Sequence, residues 1–175
     1  MTRGEAASRS RRYLALAKAY EGAASAMAAS PASDRLRLPF FAALGQALEL
    51  ALKAAIARRG CDDERLLLLG HDLLRCWDLA QADPAVAQGS ADDVARVVEG
   101  LAAPHQAQAF RYPTLLTWPL PDPQAALLAV QALLQAAPGR ADLPFGEAAA
   151  SRAEPPPERP PLSVEYFSPS QGLRP

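Results

Sequence analysis

The stretch that decides the fold is FFAALGQALELALKAAIARRGCDDERLLLLGHDLLRCWDLA, residues 40 to 80. In its first half, apolar residues recur at steps of three and four, the spacing of a core-facing helical stripe (Phe41, Leu44, Leu48, Leu52 and Ala55). Gly60 predicts the end of this helix, as a left-handed cap. After a short polar connection, GHDL at residues 70 to 73 predicts the opening of another helix. The stretch therefore predicts two helices joined by a tight corner.

Three more helices are predicted outside this stretch. One runs from about Ser8 to Ala29, one begins at Ser90 and ends at Pro104, and the last has Asp122 as its N-cap and Pro123 at its first position. Alanine, the best helix former, supplies much of the hydrophobic content. We predict an all-α, up-and-down helical bundle of about five helices over residues 1–139. Its core is expected to include Leu48, Leu52, Val97, Leu101 and Leu127.

Residues 140–175 have a different composition. Nine of the seventeen prolines lie between Pro138 and Pro175. Such a sequence favours extended polyproline II and cannot build a core, which predicts a flexible, disordered Pro-rich tail. Two interpretations stay open: an incidental end, or a docking peptide that uses Tyr166 and Phe167.

Composition and charge exclude several classes of protein. The net charge is −1, so nothing predicts the basic surface of a strong, nonspecific nucleic-acid binder. We expect no membrane span, because no apolar run approaches the required length, and no signal peptide, because no apolar core follows the N-terminal arginines. Cys61 and Cys76 fit no disulfide framework. A cytoplasmic protein is predicted.

Several pieces of the chain resemble the HEPN family of helical, nucleotide- and RNA-associated domains. These are ALELALKA at residues 47 to 54, Gly60, GHDL at 70 to 73, Arg111-Tyr112-Pro113 and the last helix from Pro123. Their order matches the family pattern from about residue 8 to residue 138. The resemblance implies a small nucleotide- or RNA-associated binding module without a cofactor. It also implies a homodimer, which often works beside a minimal nucleotidyltransferase in a toxin–antitoxin type pair.

The predicted ligand-binding residues are His71, Asp72, Arg111 and Tyr112. They are the polar residues of the GHDL and RYP matches, at a helix opening and in a proline-rich loop, where side chains are free to face a ligand. A helix opening presents unpaired N–H groups to phosphate. Arg111 offers a phosphate contact and Tyr112 a ring for stacking.

The first alternative function is a metal-independent ribonuclease that uses Arg65 and His71 as catalytic residues. HEPN ribonucleases carry an arginine, four to six residues, and then a histidine, and five residues separate Arg65 from His71. The context departs from the family, because Leu66 follows the arginine where a polar residue is usual and the pair does not open a late helix. A second alternative is a structural adaptor that recruits a partner through its tail. Whether the protein is an enzyme is left open.

The remaining polar residues have simpler interpretations. Glu49 and Lys53, four residues apart, predict an ion pair on the surface of a helix. His105 is expected in a loop. A zinc site from the two cysteines and two histidines would need ligand pairs at short spacing, which are absent, so no metal is predicted. No glycine-rich phosphate loop is present either.

Overall fold

One long helix lies at the centre of the bundle. The computed structural model describes residues 3–87, 91–112 and 117–137. In it the central helix α2 spans Arg37–Arg58 and is buried on nearly every side from Ala47 onward. Around it lie α1 (Arg3–Ala28), α3 (Asp63–Leu68), α4 (Leu73–Ala80), α6 (Ala91–Gln106) and α7 (Pro123–Ala136). The short α5 (Pro84–Ala87) packs on α7, and a 3-10 turn spans Ala109–Arg111.

The all-α prediction is confirmed. Helices make up 77% of the described residues, and no strand occurs among them. All five predicted core residues are at most 5% exposed. The chain divides into two units, Met1–Leu143 and Pro144–Pro175, and every described residue belongs to the first. The predicted tail lies outside the described residues.

Small side chains let α1 pack along α2. Ala17 and Ala24 are fully buried, and the Ser10 hydroxyl donates a hydrogen bond to the carbonyl of Ala54 at 2.7 Å. Leu14 fills the core at 2% exposure. Tyr20, on the same helix, is 38% exposed.

The predicted end of α6 at Pro104 was wrong. Pro104 lies inside the helix, which continues to Gln106. A proline removes one backbone donor, and near the end of a helix only one turn is affected. Its side chain is fully buried and adds apolar contact. As a result His105, expected in a loop, is carried by the last turn of α6 and is buried.

The burial of α2 corrects the prediction made for its polar residues. Glu49 is 3% and Lys53 6% exposed, so this ion pair lies in the core and not on the surface. By length and hydropathy alone α2 would qualify as a membrane span, yet 89% of its most apolar window is buried within the protein. The central helix of a bundle has the same composition, because every one of its faces meets another helix.

Candidate functional site

Glu49 is the centre of a buried hydrogen-bond network. One carboxylate oxygen, Oε1, accepts a hydrogen bond from Lys53 Nζ at 2.7 Å. The other oxygen, Oε2, contacts His71 Nδ1 at 2.9 Å and His105 Nε2 at 2.8 Å. The two imidazole rings lie edge to face, with centroids 5.5 Å apart. Both histidines of the chain therefore share one carboxylate oxygen.

The network keeps Glu49 ionised. Burial raises the pKa of a carboxyl group, but hydrogen bonds from His105, Lys53 and His71 outweigh it and lower the pKa of Glu49 to about 2. An ionised carboxylate only accepts hydrogen bonds, so the pattern assigns a proton to His71 Nδ1 and another to His105 Nε2. When either ring is neutral, its lone pair lies on the opposite nitrogen. For His71 that nitrogen is Nε2.

Gly70 turns the chain so that His71 can reach Glu49. Its φ of 54° lies in the left-handed region, which glycine adopts without strain. The Gly70 carbonyl accepts a second hydrogen bond from Lys53 Nζ, at 2.8 Å. Directly after this corner, the Asp72 side chain caps α4 by accepting from the backbone N–H of Arg75. The corner between α3 and α4 is thus tied to α2 through Lys53.

Gly45 makes room for the second histidine. A Cβ atom at this position would lie 2.7 Å from His105 Nδ1, closer than packed atoms approach each other. The absence of that atom allows the His105 ring to lie directly against α2, one turn before Glu49. His105 is held between the helix backbone and the carboxylate, and it is 7% exposed.

The two histidines also border an open cleft of about 340 Å³, which we call the histidine cleft. Polar and aromatic side chains line it together: Tyr20, Gln46, His71, His105, Gln108, Phe110 and Arg111. The His71 side chain is 37% exposed here, whereas the Glu49 carboxylate behind it is buried. The cleft thus presents an arginine, two imidazoles and two amides, with aromatic rings beside them. These are hydrogen-bond donors and flat surfaces of the kind that a phosphate-bearing planar ligand needs.

The structure brings together two of the four predicted ligand-binding residues. His71 and Arg111 line the histidine cleft. Asp72 is committed to capping α4, and Tyr112, 59% exposed, is not among the residues lining the cleft. The ring beside the arginine that does face the cleft is Phe110.

Arg65, the other predicted catalytic candidate, borders a different cleft. Together with Arg59, Arg75 and the apolar Leu68, Leu69 and Leu79, it lines a second cleft of about 510 Å³, which we call the arginine groove. The Arg65 side chain is 77% exposed, and its Nε lies 3.8 Å from a carboxylate oxygen of Asp62. His71 does not line this groove. Arg65 and His71 are therefore divided between two clefts.

Sequence reasoning missed three members of the network as site residues: Glu49, Lys53 and His105. One signal was present, since an acid and a base four residues apart in an otherwise apolar helix must be buried if that helix is central. His105 follows a proline, which hid its helical position. His105 comes close to His71 only because α6 packs against α2, which the sequence does not show.

A comparison with protein-family models, curated proteins and solved structures finds no match to this chain.

Proposed function

We propose that this chain is a small nucleotide- or RNA-associated binding module that receives a phosphate-bearing ligand in the histidine cleft. The observation that carries the proposal is the convergence of His71 and Arg111 on one cleft, with His71 held in place by the buried Glu49. An arginine and an imidazole both donate hydrogen bonds to phosphate oxygens. Phe110 and Tyr20 offer aromatic surface for a base.

The charges of the cleft favour an anion. Lys53 offsets the charge of Glu49 inside the protein, so Arg111 gives the cleft a net positive charge even when both histidines are neutral. Among the residues that the structure describes, none that lines the cleft carries a carboxylate. The HEPN resemblance points to the same class of ligand. It extends the proposal to a homodimer with a minimal nucleotidyltransferase as partner, in a toxin–antitoxin type system.

Titration of the purified protein with AMP, ATP and a short single-stranded RNA, in the presence of a metal chelator, tests the proposal. We expect at least one of them to bind, and Arg111→Ala to weaken binding by about tenfold or more, because a hydrogen bond to a charged group contributes about 1.5–3 kcal/mol. Arg65→Ala is the matched control, since this exposed arginine lies in the other cleft. Equal losses in both variants, or no binding by the wild-type protein, would contradict the proposal.

A metal-independent ribonuclease is the second candidate function. It is favoured by the bond from His71 Nδ1 to Glu49, which leaves Nε2 as the nitrogen that accepts a proton, as a general base requires. On this arrangement the arginine that serves the reaction is Arg111, not Arg65. If the cleft is catalytic, His71→Ala abolishes RNA cleavage in the presence of chelator while Arg65→Ala retains it. Cleavage that survives in His71→Ala would exclude this role.

A further inference from the structure

Three side chains of the kind that bind metal ions converge in the Glu49 network. One ligand atom from each of Glu49, His71 and His105 lies within 4.8 Å of the other two. Glu49 Oε2 contacts His71 Nδ1 and His105 Nε2, the nitrogens that face it. The three residues come from three different elements: α2, the corner before α4, and the end of α6. We propose that Glu49, His71 and His105 form a binding site for a divalent transition-metal ion. The ion would bind whether or not the cleft takes a nucleotide, and nucleotide binding is measured separately, in the presence of a chelator.

The donor set has the chemistry for such an ion. Two imidazole nitrogens and one carboxylate oxygen are the ligands found in many zinc and non-haem iron sites, which keep further positions open for water or substrate. Oxygen-selective ions such as Mg²⁺ and Ca²⁺ are disfavoured, because two of the three donors are nitrogens. Both histidines also line the histidine cleft, so an ion held here would lie at its wall.

Binding of an ion requires both imidazole rings to shift. In a tetrahedral site with metal–ligand bonds of about 2.0–2.1 Å, neighbouring donor atoms lie about 3.3–3.4 Å apart. The two nitrogens now lie 2.9 and 2.8 Å from Glu49 Oε2, so each must move roughly half an ångström away from that oxygen to admit the ion. The donor atoms lie within 4.8 Å of one another, so the two nitrogens must also approach each other by up to about 1.4 Å. The ion would take the place of the two protons that now lie between these atoms.

Groups behind the ligands hold them in position. Lys53 binds Glu49 through Oε1, which leaves Oε2 for the metal and fixes the plane of the carboxylate. The backbone at Gly45 confines the His105 ring, and the left-handed Gly70 places His71. Such outer contacts orient ligands and strengthen metal binding. The positive charge of Lys53 opposes a cation, which favours ions that bind imidazole strongly.

Calorimetric titration of the chelator-treated, dialysed full chain with ZnCl₂ tests the site. We expect one equivalent to bind saturably, and His71→Ala to weaken binding by at least tenfold. His71 is partly exposed, so its loss should leave the bundle folded, as a circular dichroism spectrum checks. Cys61→Ser, which removes a partly exposed thiol outside the histidine cleft, is the control and should bind as the wild type does.

Histidine ring ¹H–¹⁵N NMR spectra give a second readout. Without metal, the proton of His71 should lie on Nδ1 and that of His105 on Nε2. Zinc should shift both rings to the opposite tautomers, because the metal takes the nitrogens that face Glu49. The proposal is overturned if no saturable equivalent of zinc binds, or if His71→Ala binds zinc as tightly as the wild type. It is equally overturned if Cys61→Ser no longer binds zinc, or if zinc leaves both histidine tautomers unchanged.

Discussion

The charged groups behind the histidine cleft are buried, whereas those of the arginine groove are exposed to solvent. Behind the cleft, charged groups lie inside the bundle and pair with one another: Lys53 and both imidazoles donate to a carboxylate that is 4% exposed. In the groove, Arg65 and Arg75 are exposed, and the apolar side chains of Leu68 and Leu79 beside them are exposed as well. A buried charge is held in one geometry because losing its partner is costly, whereas an exposed charge is solvated in many geometries. The pattern of charges in the sequence does not distinguish the two; burial does.

The largest expected effect is the loss of the shared carboxylate. Glu49→Ala removes the acceptor of three hydrogen bonds and leaves a buried lysine without its counter-charge, so we expect a loss of about 3–5 kcal/mol in the free energy of unfolding, measured with urea. In the groove, Arg75→Ala should change the same quantity by no more than about 0.5 kcal/mol. Similar losses in both variants would erase the distinction between the two regions.

Acid should lower the stability of the protein through protonation of Glu49. The pKa of Glu49 in the folded protein, about 2, is lower than the ordinary value of 4.5 that applies when the chain unfolds. Its contribution to stability is therefore complete above about pH 4.5 and is lost as the pH falls from there towards 2. Urea midpoints measured between pH 6 and pH 2.5 should decline in this window, and more steeply for the wild type than for Glu49→Gln. Parallel curves would show that Glu49 is not the group responsible.

Substitution by alanine should have opposite, smaller effects on stability at two glycines inside helices. At Gly22, an exposed position of α1, a Cβ would meet no atom within 4 Å, so Gly22→Ala should stabilise the protein by up to about 1 kcal/mol through helix propensity. At Gly45 the same atom would collide with His105, and overpacking costs about 1–3 kcal/mol. We expect Gly45→Ala to lower the melting temperature and Gly22→Ala to raise it. A rise in both would mean that the His105 ring moves aside freely.

Local sequence was sufficient for the longer helices and for the start of α7. The three-and-four spacing of apolar residues predicted α2 and α6, and the predicted cap at Asp122 accepts a hydrogen bond from the N–H of Ala125, with Pro123 at the first position of α7. These features depend on neighbours within one or two turns. A residue's immediate sequence therefore contains the information that decides them.

The sequence by itself determined that the chain is an alanine-rich helical bundle and that His71 and Arg111 lie near the openings and loops of its helices. Tertiary structure alone decided that Glu49 is buried, that His105 meets it across 56 positions of chain, and that Arg65 borders another cleft. The physical reason is that a helical period gives the faces of α2 but not the number of helices that cover them. Once α1, α4, α6 and α7 cover every face, the polar residues of α2 must find partners inside the protein, and the two histidines provide them.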